Sequence, residues 1–214
     1  MWMHVAVSSK NSADNMPIEE VIDRIETLNH NLAHFWRTSS GWAPVEAAGL
    51  LSKSRLDWQI SLSNSLRIWV RQPPDALSAG ELILAWVNLG SLMEGTMKLL
   101  LSVYYKDYLA DIEGLKASRA FDNKKQAPKP PDTLPFDILL SYFKSKDLLD
   151  AESQEVATLT QQRRNAVHAF KDRPIGSGTE FQKVVRNYLK MLRDVNLRLP
   201  YPEQQYIPQE TGKR

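Results

Sequence analysis

Within nine residues, Gln162-Arg163-Arg164-Asn165-Ala166-Val167-His168-Ala169-Phe170, the chain gathers two guanidinium groups, a carboxamide and an imidazole. Those are groups that cleavage of RNA requires. RNA carries its own nucleophile, the 2′-hydroxyl, so a protein has to take that proton, stabilise the charge that develops on the phosphate and protonate the leaving oxygen. His168 is the residue type suited to proton transfer near neutral pH. Arg163, with Arg164 assisting, can clamp a phosphate through paired hydrogen bonds, and Asn165 can fix the scissile nucleotide or the imidazole. A site that cleaves RNA with these groups would require no metal and no cofactor.

Read as Arg163, four residues, then His168, the stretch resembles the signature of HEPN domains, in which an arginine is followed four to six residues later by a histidine. The resemblance spans about residues 80 to 197 and leaves the first 75 residues without a counterpart. It implies a small helical bundle that acts as a metal-independent endoribonuclease, a toxin or defence effector. Its products would be a 2′,3′-cyclic phosphate and a 5′-hydroxyl. It also implies a homodimer, because in that family the Arg and His line a groove between two protomers. A cognate antitoxin or regulatory protein would be a further partner, and the cytoplasm the expected compartment. The family's residue after the arginine is commonly polar, often Asn; here Arg164 stands there and Asn165 supplies the amide. Aligning Arg164-Asn165 on the family's pair instead shortens the spacing to His168 to three residues, so the choice between Arg163 and Arg164 stays open. Two other readings stand beside this one. The first is a catalytically inactive HEPN-like module that binds RNA, a nucleotide or a partner protein. The second is an unrelated helical interaction protein in which His168 is a satisfied core or capping residue.

If residues 152 to 170 form one helix, Val156, Leu159, Arg163, Ala166, Val167 and Phe170 share a stripe, which puts Arg163 amid apolar neighbours. A guanidinium cannot be neutralised, so in that position it needs a carboxylate or an interface cleft. His168 falls about 140° from Arg163 at 100° per residue. A single regular helix therefore does not aim both at one substrate, whereas two copies of it across a two-fold axis can. Glu94, set among Leu89, Leu92, Met93 and Met97, is the candidate to orient Arg163, Arg164 or His168. Its alternative is an i,i+4 pair with Lys98.

The elements that must position these groups are helical, since apolar residues recur at intervals of three and four. The expected architecture is all-α: an antiparallel helical bundle with a HEPN-like C-terminal part and an added N-terminal helical hairpin. Residues 1–16 form an N-terminal segment, 17–75 the hairpin, 76–199 the bundle with an exposed proline-rich loop at 120–135, and 200–214 a loosely held polar tail. A first helix follows Pro17 with the stripe Ile18, Val21, Ile22, Ile25, Leu28, Leu32 and Phe35. A second runs from after Pro44 to about Val70, where Pro73-Pro74 stops it. The third, capped by Ser78, runs from Glu81 to about Leu109 and is the most buried. A short helix near Phe136 to Phe143 and a last one from about Thr179 to Leu197 complete the set.

Composition narrows the chemistry. The chain has 214 residues and no cysteine, which excludes disulfides, thiolate zinc sites and a cysteine nucleophile. Residues 1–162 carry 16 Lys and Arg against 20 Asp and Glu, a net of −4, and residues 163–214 carry 11 against 5, a net of +6. A polyanion would be drawn to the part that begins at the motif. Met1 to Lys10 reads as no secretory signal, and Asn88, Glu94 and Lys98 argue against a membrane-spanning third helix. His30 and His34 have zinc-binding spacing but no completing ligand pattern, and Gly176-Ser177-Gly178 reads as a turn. Tyr104, Tyr105 and Tyr108, with Trp36, Trp42, Trp58, Trp69 and Trp86, read as packing residues.

Overall fold

Pro17 and the stripe that follows it open the first long helix, α1 (Ile18–Thr38), and its Ile18, Val21, Ile22, Ile25, Leu28 and Leu32 are all buried. The computed structural model describes residues 13–38, 45–168 and 170–211, and Trp42 therefore lies outside the described residues. After α1 come α2 (Val45–Lys53), α3 (Leu56–Trp69), α4 (Ala79–Val103), α5 (Tyr105–Ala110), α6 (Ile112–Ala117), α7 (Phe136–Ser145), α8 (Ala151–Arg164) and α9 (Gly178–Arg198). Among the described residues the only sheet is a two-residue antiparallel pair, β1 (Phe121–Asp122) with β2 (Ala127–Pro128). The chain is an all-α helical bundle.

α4 is its axis. Ser78 and Glu81 close a reciprocal capping box that starts the helix, and Leu82, Ala85, Trp86, Leu89, Leu92, Met93, Met97 and Leu100 are buried along it. It packs against α3 on one side and α8 and α9 on another, while α1 packs on α3 and α9. A polar cluster lies inside this apolar packing. The Tyr188 hydroxyl of α9 lies 3.0 Å from Thr96 Oγ1 of α4, and Asn29 Nδ2 of α1 donates to Ser63 Oγ of α3 at 2.8 Å. Buried polar groups have to be paired, and this cluster fixes how the four helices meet.

Several expected boundaries differ. The helix expected from Pro44 to Val70 is two, because Ser54 turns back through its N–H and hydroxyl onto the Leu51 carbonyl and α3 restarts at Leu56. The N-terminal part is thus three helices, with α1 and α3 built into the bundle wall. α4 stops at Val103, and Tyr104 is the joint to α5. In the 120–135 segment Ala120, Pro131 and Leu134 are buried, and Tyr108 donates to the Lys129 carbonyl at 2.6 Å. The described tail is not loose: Asn31 and Asn196 donate to the carbonyls of Gln209 and Pro208, and Arg24 and Arg193 both hold Glu210.

Candidate functional site

The motif lies where α8 ends, not along it. Asp150 caps the start of α8 by accepting from the Ser153 N–H. The helix then stops at Arg164, Asn165–Val167 form one 3-10 turn, and the His168 N–H reaches only the Asn165 carbonyl at 3.2 Å. The angle expected between Arg163 and His168 on a continuous helix therefore does not apply. The chain that follows is held against α8 and α4. Arg163 Nη1 donates to the Pro174 carbonyl and Trp86 Nε1 to the Ile175 carbonyl, each at 2.7 Å. Gly176 makes the return at φ 71; a Cβ there would sit 1.7 Å from Glu180 Oε2 and 3.2 Å from Arg163 Nε.

The two arginines have opposite fates. Arg163 gives Nε and Nη2 to the two oxygens of Glu180, both at 3.1 Å, and Nη1 to Pro174, with its side chain only 14% exposed. It has the carboxylate that its apolar stripe demanded, but the partner is on α9 rather than at position 94. Arg164 instead crosses α4 over Gly90, where an added Cβ would meet its Cδ at 2.7 Å, and donates Nη1 to Glu94 Oε2 at 2.7 Å. Its guanidinium carbon lies 5.3 Å from the Phe136 ring centre. The other oxygen of Glu94 accepts from Lys98 Nζ at 2.8 Å. Both expectations for Glu94 hold together, the pair with Lys98 and the contact with the motif. Lys98 also donates to the Asp132 carbonyl at 3.1 Å.

His168 and Asn165 are not brought into this cluster by any bond. Asn165 is half-buried, and His168 is exposed between exposed Val167 and fully exposed Phe170. Among the described residues, the His168 imidazole has no hydrogen-bond or ion-pair partner and nothing joins it to Arg163, Arg164 or Glu94.

What Arg164, Glu94 and Lys98 do line is a cleft of about 490 Å³ between α2, the start of α3 and the middle of α4. Its opposite wall carries Lys53, Arg55 and Trp58, residues that the sequence reading did not connect with the motif. Arg55 places its guanidinium 4.0 Å from the Trp58 ring centre and chelates Asp57 at 2.9 and 2.6 Å. Those Arg55 hydrogen bonds hold the Asp57 carboxyl down, at about 2. Trp58 is 58% exposed and is not the packing residue expected of it, whereas Trp36 and Trp86 are buried. A cation, a cation and an indole within six residues at a helix start was the signal available in the sequence.

The remaining candidates are quieter. Burial pushes the hydroxyls of Tyr104 and Tyr108 up, and each donates to a backbone carbonyl, of Arg198 and Lys129 respectively, so both are structural. Among the described residues no three or more His, Asp or Glu side chains converge as metal ligands would, and no helix is long and apolar enough to cross a membrane. Comparison with protein-family models, curated proteins and solved structures finds no match to the chain.

Proposed function

We propose that the chain is an RNA-acting module of HEPN type that cleaves RNA without a metal, with Arg164 rather than Arg163 on the phosphate and His168 moving the proton. One observation carries the choice of arginine. All three guanidinium nitrogens of Arg163 are bonded within the fold, whereas Arg164 lines an open cleft with Nε and Nη2 unpartnered among the described residues. Glu94 is then a positioning residue that holds Arg164, and Asn165 supports the nucleotide. In-line attack by a 2′-hydroxyl needs proton removal on one side of phosphorus and protonation on the other, which one imidazole cannot supply in a single step. A homodimer would bring two copies of His168, and a two-fold contact would cover the exposed Val167 and Phe170 beside it. The substrate class is cytoplasmic RNA and the role a toxin or defence effector, held in check by an antitoxin or regulatory protein.

The second reading, a module that binds RNA, a nucleotide or a protein without cutting, is favoured by the lack of any described group orienting His168. Labelled RNA incubated in excess chelator with wild type, Arg163→Ala, Arg164→Ala and His168→Ala separates the two. The expected result is cleavage to 2′,3′-cyclic phosphate ends, abolished by His168→Ala and Arg164→Ala. Cleavage that survives both changes sinks the catalytic assignment, and RNA retention with no cleavage by wild type selects the binding module.

A further inference from the structure

The cleft holds groups that catalysis at His168 does not use. We infer that the space walled by Lys53, Arg55, Trp58, Lys98 and Arg164 is a binding site for a nucleoside monophosphate, free or at the end of an RNA strand. At about 490 Å³ it lies within the range of small-molecule sites and accommodates one such ligand. Leu50, Leu51, Leu56 and Leu99 give it apolar surface for a base and sugar. Trp58 supplies the aromatic surface: an indole 58% exposed at the cleft wall, already stacked with Arg55, is a platform on which a base ring can rest.

Charge selects the phosphate. Lys53, Arg55, Lys98 and Arg164 stand against Glu94, Asp132 and the Arg55-bound Asp57, which leaves a single positive charge in excess. That suits a phosphomonoester of about −1.5 to −2 at pH 7 better than a triphosphate. Lys98 and Arg164 retain donors after satisfying Glu94, so a phosphate is accepted without breaking that pair. Half of its lining, residues 50–59 at the end of α2 and the start of α3, lies outside the stretch that resembles HEPN domains, and the site stands whether or not His168 cuts RNA.

The test is direct titration of the full chain, read by calorimetry and by tryptophan fluorescence. Adenosine 5′-monophosphate should bind saturably and quench the emission. Adenosine and inorganic phosphate alone should each bind at least about tenfold more weakly, and adenosine triphosphate no more tightly than the monophosphate. Trp58→Ala should abolish most of the quench and weaken binding about tenfold, as losing one stacked base does. Lys98→Ala should weaken binding about tenfold by removing a charge-assisted bond, while Lys124→Ala on the distant β1–β2 turn leaves it unchanged. A 5′-phosphorylated RNA tetranucleotide that competes assigns the site to RNA ends; one that does not assigns it to free nucleotides. No saturable signal by either method at millimolar ligand, or wild-type affinity in both Trp58→Ala and Lys98→Ala with wild-type circular dichroism, overturns the site. Neither method reads cleavage, so failure here leaves the ribonuclease proposal standing, and the reverse holds.

Discussion

Glu210 and Glu94 each sit between two cations, yet they serve opposite ends of the molecule's chemistry. Glu210 bonds Arg24 and Arg193 and seals the tail onto α1 and α9. Burial pushes its carboxyl up and the two guanidinium groups outweigh that push, so the net shift is downward. Arg193 has only 8% of its side chain exposed there. Glu94 bonds Lys98 and Arg164, whose side chains are 25% and 26% exposed, at the edge of an open cleft. The same charge pattern is therefore a latch in one place and a poised site in the other. What separates them is access: a cation pair becomes available to a ligand only where its donors outnumber its bonds and space adjoins them.

The largest effect should come from breaking the latch. Arg193→Ala leaves Glu210 half-buried with Arg24 alone, which should cost about 2 kcal/mol, below the full penalty for an unpaired buried charge because one partner remains. Thermal unfolding should drop by about 4–8 °C in a chain of this size, and an unchanged midpoint would mean that the tail contributes nothing. A somewhat smaller effect should follow from acid. Since the Glu210 carboxyl is depressed in the fold, its contribution is present above the ordinary glutamate pKa and is lost as pH falls through the lowered value. Glu210→Gln should therefore be less stable than wild type at pH 7, with the difference shrinking as acid protonates Glu210. A difference that is constant with pH contradicts the latch.

Next in size comes the pair of neighbouring arginines. Arg163→Ala removes two bonds that tie α8 to Glu180 of α9 and one that holds the Pro174 carbonyl against α8, and should cost about 1–2 kcal/mol. Arg164→Ala removes one partly exposed ion pair and should cost under about 1 kcal/mol. The functional order is the reverse: Arg164→Ala should lose RNA cleavage and weaken nucleotide binding, with Arg163→Ala limited to what its lower stability causes. Equal functional losses at equal stability would erase the distinction between them.

Local pattern carried most of the architecture into the sequence. The α1 stripe, the Ser78 cap and the ends of α9 are set by apolar period and capping chemistry within a few residues, and all three were readable. The breaks at Ser54, Tyr104 and Arg164 were not, because no proline or glycine marks them. The chain that follows Arg164 is held in part by Trp86, 89 positions from the Ile175 carbonyl to which it donates. The site divides in the same way. The Glu94–Lys98 pair follows from helical spacing, and a carboxylate set in an apolar stripe points to a contact with a cation of the motif. Glu180 as the owner of Arg163, and Trp58 and Arg55 as neighbours of Arg164, depend on how α3, α4, α8 and α9 meet. No period in the sequence reports that.

The smallest expected change in stability tests the comparison most closely. Gly90→Ala puts a methyl group where Arg164 Cδ now passes, 2.7 Å from the ideal Cβ position, so the arginine has to swing aside. In a helix interior alanine is favoured over glycine by about 0.8–1.0 kcal/mol, which offsets the loss of one partly exposed ion pair. The melting temperature should thus barely move, while RNA cleavage and nucleotide affinity fall as they do in Arg164→Ala. A drop as large as that of Arg193→Ala would show that Arg164 is packed as rigidly as the latch arginine, and the cleft would then be structural. A stable variant with wild-type binding and cleavage would show that the route of Arg164 over Gly90 has no part in either activity.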